Sequence, residues 1–140
     1  KEGFQCRLFD TTLYPPKGET FDEFRKKIHQ IKSSSSSMKE QVQTKTTDPI
    51  KDFTDLLDLY KPDIVGLSVL SDTFEMGVDY IKIAKKRNIP VFVGGIYPTF
   101  APEEVIANKY IDYICMGEGE YAVLALCKAL ASNESIDHIK

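Results

Sequence analysis

Asp63-Ile64-Val65-Gly66-Leu67-Ser68 and Pro90-Val91-Phe92-Val93-Gly94 decide the fold of this chain. Each is a short, nearly continuous apolar run rich in Val and Ile, the pattern of a parallel strand buried on both faces. Tyr110-Ile111-Asp112-Tyr113-Ile114-Cys115-Met116 reads as a third run of this kind. Earlier, Phe4-Gln5-Cys6-Arg7-Leu8-Phe9 alternates apolar and polar residues, as a strand with one covered face would.

Helical patterns lie between and around these runs. Over residues 74–87, Met76, Tyr80, Ile83 and Ala84 recur at helical spacing, with Asp72 or Thr73 as the expected N-cap. Lys85-Lys86-Arg87 follows where the helix dipole favours cations. Residues 50–60 place Phe53, Leu56, Leu57 and Tyr60 on one face and stop before Pro62. Pro102-Glu103-Glu104 has the proline and acids of a first helical turn, and residues 119–131 carry Val123, Leu124, Leu126, Cys127 and Leu130 on a broad apolar face.

Strands alternating with helices predict an α/β fold, a Rossmann-like or flavodoxin-like doubly wound parallel sheet. In a sheet of order 2-1-3-4-5 the first strand is central. The four runs correspond to strands 2 to 5, and Lys1-Glu2-Gly3 reads as the tail of a helix reaching its glycine stop. The first strand is therefore expected to be missing, and the sequence reads as an excerpt of a longer protein.

The 140 residues, 42% hydrophobic and 28% charged, suit a single domain over 1–140 with its own core. Residues 20–31 form a candidate helix with Phe21, Phe24 and Ile28 inward. Residues 32–48, which include Ser33-Ser34-Ser35-Ser36-Ser37, offer little core and read as a flexible insertion. A net charge of −3 gives no electrostatic reason to expect nucleic acid or an anionic membrane as partner. No apolar run reaches membrane-spanning length and no signal peptide opens the chain, so the expected location is cytoplasmic. Cys6, Cys115 and Cys127 form no cluster spacing and read as reduced, buried thiols, with no metal centre expected within the chain.

Ligands of open parallel sheets bind beyond the carboxyl ends of the strands. Three loops fall there: Ser68-Val69-Leu70-Ser71-Asp72-Thr73, Gly94-Gly95-Ile96-Tyr97-Pro98-Thr99-Phe100, and Gly117-Glu118-Gly119-Glu120. Paired glycines let a backbone approach a ligand closely, hydroxyls can donate and accept, and Pro98 stiffens its loop. Glu118 and Glu120 are also the acids a helix N-terminus favours, and make a poor acid/base pair.

These residues carry a family resemblance. Ser68-Val69-Leu70 and Gly94-Gly95 look like the SxL and GG elements of cobalamin-binding domains. The longer blocks, Lys61-Pro62-Asp63-Ile64-Val65-Gly66-Leu67-Ser68, the GG-x-x-PT-x-x-PEE run over residues 94–104, and Gly117-Glu118-Gly119-Glu120, resemble the N-terminal domain of cobalamin-dependent radical S-adenosylmethionine enzymes. Leu8-Phe9-Asp10-Thr11-Thr12 matches that family's second strand. The resemblance implies a corrinoid whose nucleotide tail enters the carboxyl edge of the sheet. Ser68 and Leu70 would contact the tail, with Ser71 and Thr73 nearby. Gly94 and Gly95 would pack their backbone against the cofactor. Tyr97, Pro98 and Thr99 would shape the rim, with Gly117 and Glu118 in the third loop.

The resemblance also implies what the chain lacks. The DxHxxG loop that supplies a cobalt-ligating histidine is absent, and His29 and His138 read as surface residues, so cobalamin is expected base-off without a histidine ligand. The CxxxCxxC motif is absent as well. The 4Fe–4S cluster and S-adenosylmethionine would belong to a downstream barrel domain, and this chain alone is expected to have no catalytic activity. Two alternatives stand beside this reading: a degenerate domain that only packs on that barrel, and a flavodoxin-like or response-regulator module.

Overall fold

The computed structural model describes residues 3–15, 26–29, 45–136 and 139. The chain divides into two compact units, Lys1–Asp55 and Leu56–Lys140. In the first, the rings of Phe9, Tyr14 and Phe53 pack together. The Tyr14 hydroxyl donates to Asp52 Oδ2 at 2.8 Å and accepts from Lys45 Nζ at 3.0 Å. Of the expected insertion, residues 32–44 lie outside the described residues. Lys45 and Thr47 are hydrogen-bonded, the latter to Asp52 at 2.6 Å. The candidate helix over 20–31 also falls largely outside.

Helix α1 (Pro49–Tyr60) leads into the sheet. Strand β1 (Val65–Ser68) is followed by α2 (Phe74–Lys85), β2 (Val91–Gly94), two short helices α3 (Ile96–Phe100) and α4 (Pro102–Ile106), β3 (Tyr113–Ile114) and α5 (Glu120–Ser132). The three strands form one parallel sheet in the order β1-β2-β3, pairing Val65 with Val91, Ser68 with Gly94, and Phe92 with Tyr113. Parallel neighbours need a crossover, and helices supply it here, which makes this a Rossmann-like, flavodoxin-like α/β fold.

Local chemistry sets the boundaries. Asn88, in the left-handed region with φ 57°, ends the helical path after α2, and the Ile89 amide turns back to the Ala84 carbonyl at 3.2 Å. Asn133 does the same after α5 with φ 52°. Pro102 stands in the first turn of α4, where its missing N–H has no partner to lose. Asp112 fixes the entry to the sheet. Its carboxylate accepts from the Val91 amide at 2.7 Å and from Lys85 Nζ at 2.7 and 2.8 Å, and its own amide donates to the Val91 carbonyl.

Three sequence expectations need correction. Residues 4–9 form no strand: no ladder partner for them exists among the described residues, and alternation without a partner does not make a strand. The remaining strands are shorter than their apolar runs, and the third spans only two residues, with Asp112 just before it hydrogen-bonded to Val91. Burial on both faces also fails. Val91 and Val93 are fully buried, but Gly66 and Ser68 are exposed, so burial alternates along the strands.

The covered face lies under α2. A Cβ on Gly77 would stand 2.8 Å from Leu67 Cδ2, so a glycine lets that helix approach β1 closely. Ile81, Val91, Val93 and Val105 are the largest fully buried aliphatic side chains, each stabilising the fold by about 1.5–3 kcal/mol.

Candidate functional site at the carboxyl edge of the sheet

The ladder between β1 and β2 continues into the loops beyond it. Val69 N–H donates to the Gly94 carbonyl at 3.1 Å, and Tyr97 N–H donates to the Val69 carbonyl at 3.3 Å. Gly95 makes this possible. It has φ 104°, and a Cβ there would lie 2.8 Å from Val69 O and 3.2 Å from Ser68 Oγ. Any other residue would push the first loop away from the second.

The third loop is tied in from the other side. Gly117 N–H donates to Thr99 Oγ1 at 3.0 Å, and the same hydroxyl donates to the Gly95 carbonyl at 2.9 Å. Gly117 itself has φ 73° with open space around its missing Cβ, so the backbone conformation, not crowding, calls for glycine. Gly94 differs from both: a Cβ there would make only an ordinary 3.7 Å contact with Cys115.

The structure therefore joins Ser68, Gly94, Gly95, Tyr97, Thr99 and Gly117 along one edge. Ser68, Leu70, Ser71, Thr99, Gly117 and Glu118 are exposed, while Thr73, Gly94, Gly95 and Tyr97 are half-buried. Thr73 occupies the N-cap position of α2 but its side chain makes no cap bond. Its hydroxyl accepts from the Leu70 amide at 3.0 Å and donates to the Leu70 carbonyl, holding a 3-10 turn over Ser71–Thr73. Pro98 is fully buried and acts from beneath the surface. Tyr97 packs edge-on against Phe74 with centroids 5.1 Å apart. A hydrogen bond to Glu104, with partial burial, raises its phenol above the ordinary value.

Four residues on or beside these loops have no binding role in the sequence reading: Ile96, Phe100, Met116 and Tyr121. Together with Leu70 they are 47% to 88% exposed. Ile96 and Phe100 share a face because residues 96–100 are helical, whereas the GG and PT residues suggest a plain loop. Leu70, Ile96, Phe100 and Met116 lie in the segments that follow the three strands, and exposed large apolar side chains there make this edge the candidate binding surface.

A shallow depression lies elsewhere in this unit, lined by Leu57, Asp58, Lys61, Pro62, Arg87 and Ile89. Two of its charges pair with each other: Arg87 donates to both carboxylate oxygens of Asp58 at 2.6 and 2.9 Å. The cysteines depart from expectation: Cys6 is exposed, and Cys115 and Cys127 are half-buried. Among the described residues no group of His, Cys, Asp and Glu converges as a metal site. His29 is exposed, and His138 lies outside the described residues. No described helix is long and apolar enough to cross a membrane.

A parallel sheet flanked by helices, with glycines at the turn beyond its carboxyl edge, defines a Rossmann-like α/β domain. More particularly, the chain belongs to the B12 binding domain family, whose model matches residues 37–127 and so includes all three edge loops. It is similar to an uncharacterized methyltransferase of Pyrococcus horikoshii, 33% identical over 91 residues, 63% of this chain and 20% of that protein. The chain thus spans about a fifth of the length of this relative. No solved structure matches it.

Proposed function

We propose that this chain binds a corrinoid at the carboxyl edge of its sheet and serves as the cobalamin-binding module of a radical S-adenosylmethionine enzyme that transfers methyl groups or performs related radical chemistry. The observation that carries the binding reading is the joining of three loops by Gly95, Tyr97 and Thr99 beneath an exposed apolar rim.

The residues suit the group. Leu70, Ile96, Phe100 and Met116 offer apolar area for a broad, flat macrocycle. Ser68 and Ser71 present hydroxyls for the amides and phosphate of a nucleotide tail, and Gly94 leaves backbone open to it. When bound, the cobalt would supply the site that carries a methyl group. The chain's own part is to hold the corrinoid by the edge, keep its orientation fixed and exclude water with the apolar rim. No histidine belongs to the edge loops, which supports base-off binding without a protein ligand to cobalt.

Support for the larger assembly is of two kinds. The GG-x-x-PT-x-x-PEE and GEGE blocks resemble those of radical S-adenosylmethionine enzymes, and the Pyrococcus relative, a methyltransferase by name, is about five times the matched length. The cluster, S-adenosylmethionine and the substrate would then belong to a barrel domain beyond this chain, and catalysis to the whole protein.

Titration of the chain with hydroxocobalamin, read by visible absorbance and co-elution on gel filtration, tests this reading. A red complex supports it. A colourless, folded chain at saturating cofactor points instead to a scaffold whose apolar rim packs on a neighbouring domain.

A further inference from the structure

We infer that Thr99 is a positioning residue of the corrinoid site, acting through the third loop and not by touching the cofactor. This inference rests on the corrinoid reading above and deepens it. A threonine hydroxyl has one proton and two lone pairs. The proton is committed to the Gly95 carbonyl at 2.9 Å, and one lone pair accepts from the Gly117 amide at 3.0 Å. Thr99 therefore has nothing left to donate to a ligand, although it is exposed at the edge.

Its two bonds connect the elements that flank the site. Gly95 is the turn leaving β2, already held against the first loop by the bond from Tyr97 N–H to Val69 O. Gly117 is the positive-φ residue of the loop after β3. That loop has open space around Gly117, so nothing within reach of a Cβ there holds it by packing. One hydroxyl thus sets the third loop relative to the other two before a ligand arrives. Ordering a loop in advance removes an entropic cost from binding.

The test uses the full chain and its Thr99→Val and Thr99→Ser variants, with hydroxocobalamin as probe. Valine keeps the volume and removes both bonds, whereas serine keeps both bonds and removes the methyl. In the free chain, amide exchange at Gly117 should quicken about three- to tenfold in Thr99→Val, the loss of the one hydrogen bond that amide makes to Thr99, with the thermal midpoint lowered by about a few degrees. Affinity for hydroxocobalamin should fall by a similar factor in Thr99→Val, and Thr99→Ser should restore both readouts to within about twofold of wild type.

Equal binding by wild type and Thr99→Val overturns the positioning role alone. Weakened binding that serine does not rescue overturns it too, because the methyl would then be the cause. Absence of binding by the wild type itself overturns the corrinoid reading, and this role with it.

Discussion

Gly95 and Val69 meet so closely that a single added carbon on Gly95 would lie 2.8 Å from the Val69 carbonyl oxygen. This contact, with φ 104° at Gly95, is what lets the second edge loop close against the first. Gly95→Ala is therefore expected to destabilise the chain by about 1–3 kcal/mol, from positive-φ strain and loss of the Val69 contact. Gly94→Ala, which meets only Cys115 at 3.7 Å, should cost well under half as much. Urea unfolding of the two variants makes the comparison, and equal losses would contradict the assigned difference.

Gly66 sits beneath Phe92, its paired residue in β2. A Cβ on Gly66 would come within 2.5 Å of the ring. Gly66→Ala should destabilise by about 1–3 kcal/mol through overpacking. Shortening the ring in a Gly66→Ala/Phe92→Leu pair should return part of that loss, seen as a non-additive double-mutant cycle.

Ile81 anchors α2 on the sheet with no exposed surface. Ile81→Ala is expected to cost about 2–5 kcal/mol, as cavity-forming substitutions do. Chemical denaturation should show it as a lower midpoint with an unchanged slope.

The Arg87–Asp58 pair makes a pH prediction. Hydrogen bonding to Arg87 holds the Asp58 carboxyl below its ordinary value. A carboxyl lowered by folding adds stability above its unfolded pKa and loses it as pH falls through the folded one. Wild type should thus exceed Asp58→Asn in stability at neutral pH, and the gap should close as pH drops below the usual carboxylate range. The pair is exposed enough that the gap will be small and will shrink in high salt. Thermal melts at neutral and acidic pH check both points, and a gap that widens in acid would contradict the sign.

Much of this arrangement is legible in the sequence. The runs around Val65, Val91 and Ile114 are strands because Val and Ile in short unbroken runs suit a parallel sheet. The rule that ligands gather beyond the carboxyl ends then places Ser68, Gly94 and Gly117 on one edge without any coordinates. What escaped the sequence reading depends on tertiary contacts. Residues 4–9 have strand-like alternation, yet only pairing makes a strand, and a linear pattern does not show whether a partner exists.

The 96–100 segment escaped for a different reason. Gly95 and Pro98 are loop-forming residues in isolation, but proline is tolerated in a first helical turn, and the Thr99 hydroxyl back-bonds to Gly95 across that turn. Missing that helix hid the shared face of Ile96 and Phe100, and with it the apolar rim. The Thr99–Gly117 bond spans 18 residues, beyond what local spacing can predict.

Corrinoid binding at the carboxyl edge is tested most directly by a residue-resolved map of amide exchange in the full chain, with and without saturating hydroxocobalamin. A corrinoid held at this edge should give new protection confined to residues 68–73, 94–99 and 115–119, with the slow core amides of β2 unchanged. Protection centred instead around Leu57, Lys61 and Arg87, or none anywhere in a folded chain, would contradict a corrinoid site at the carboxyl edge of this sheet.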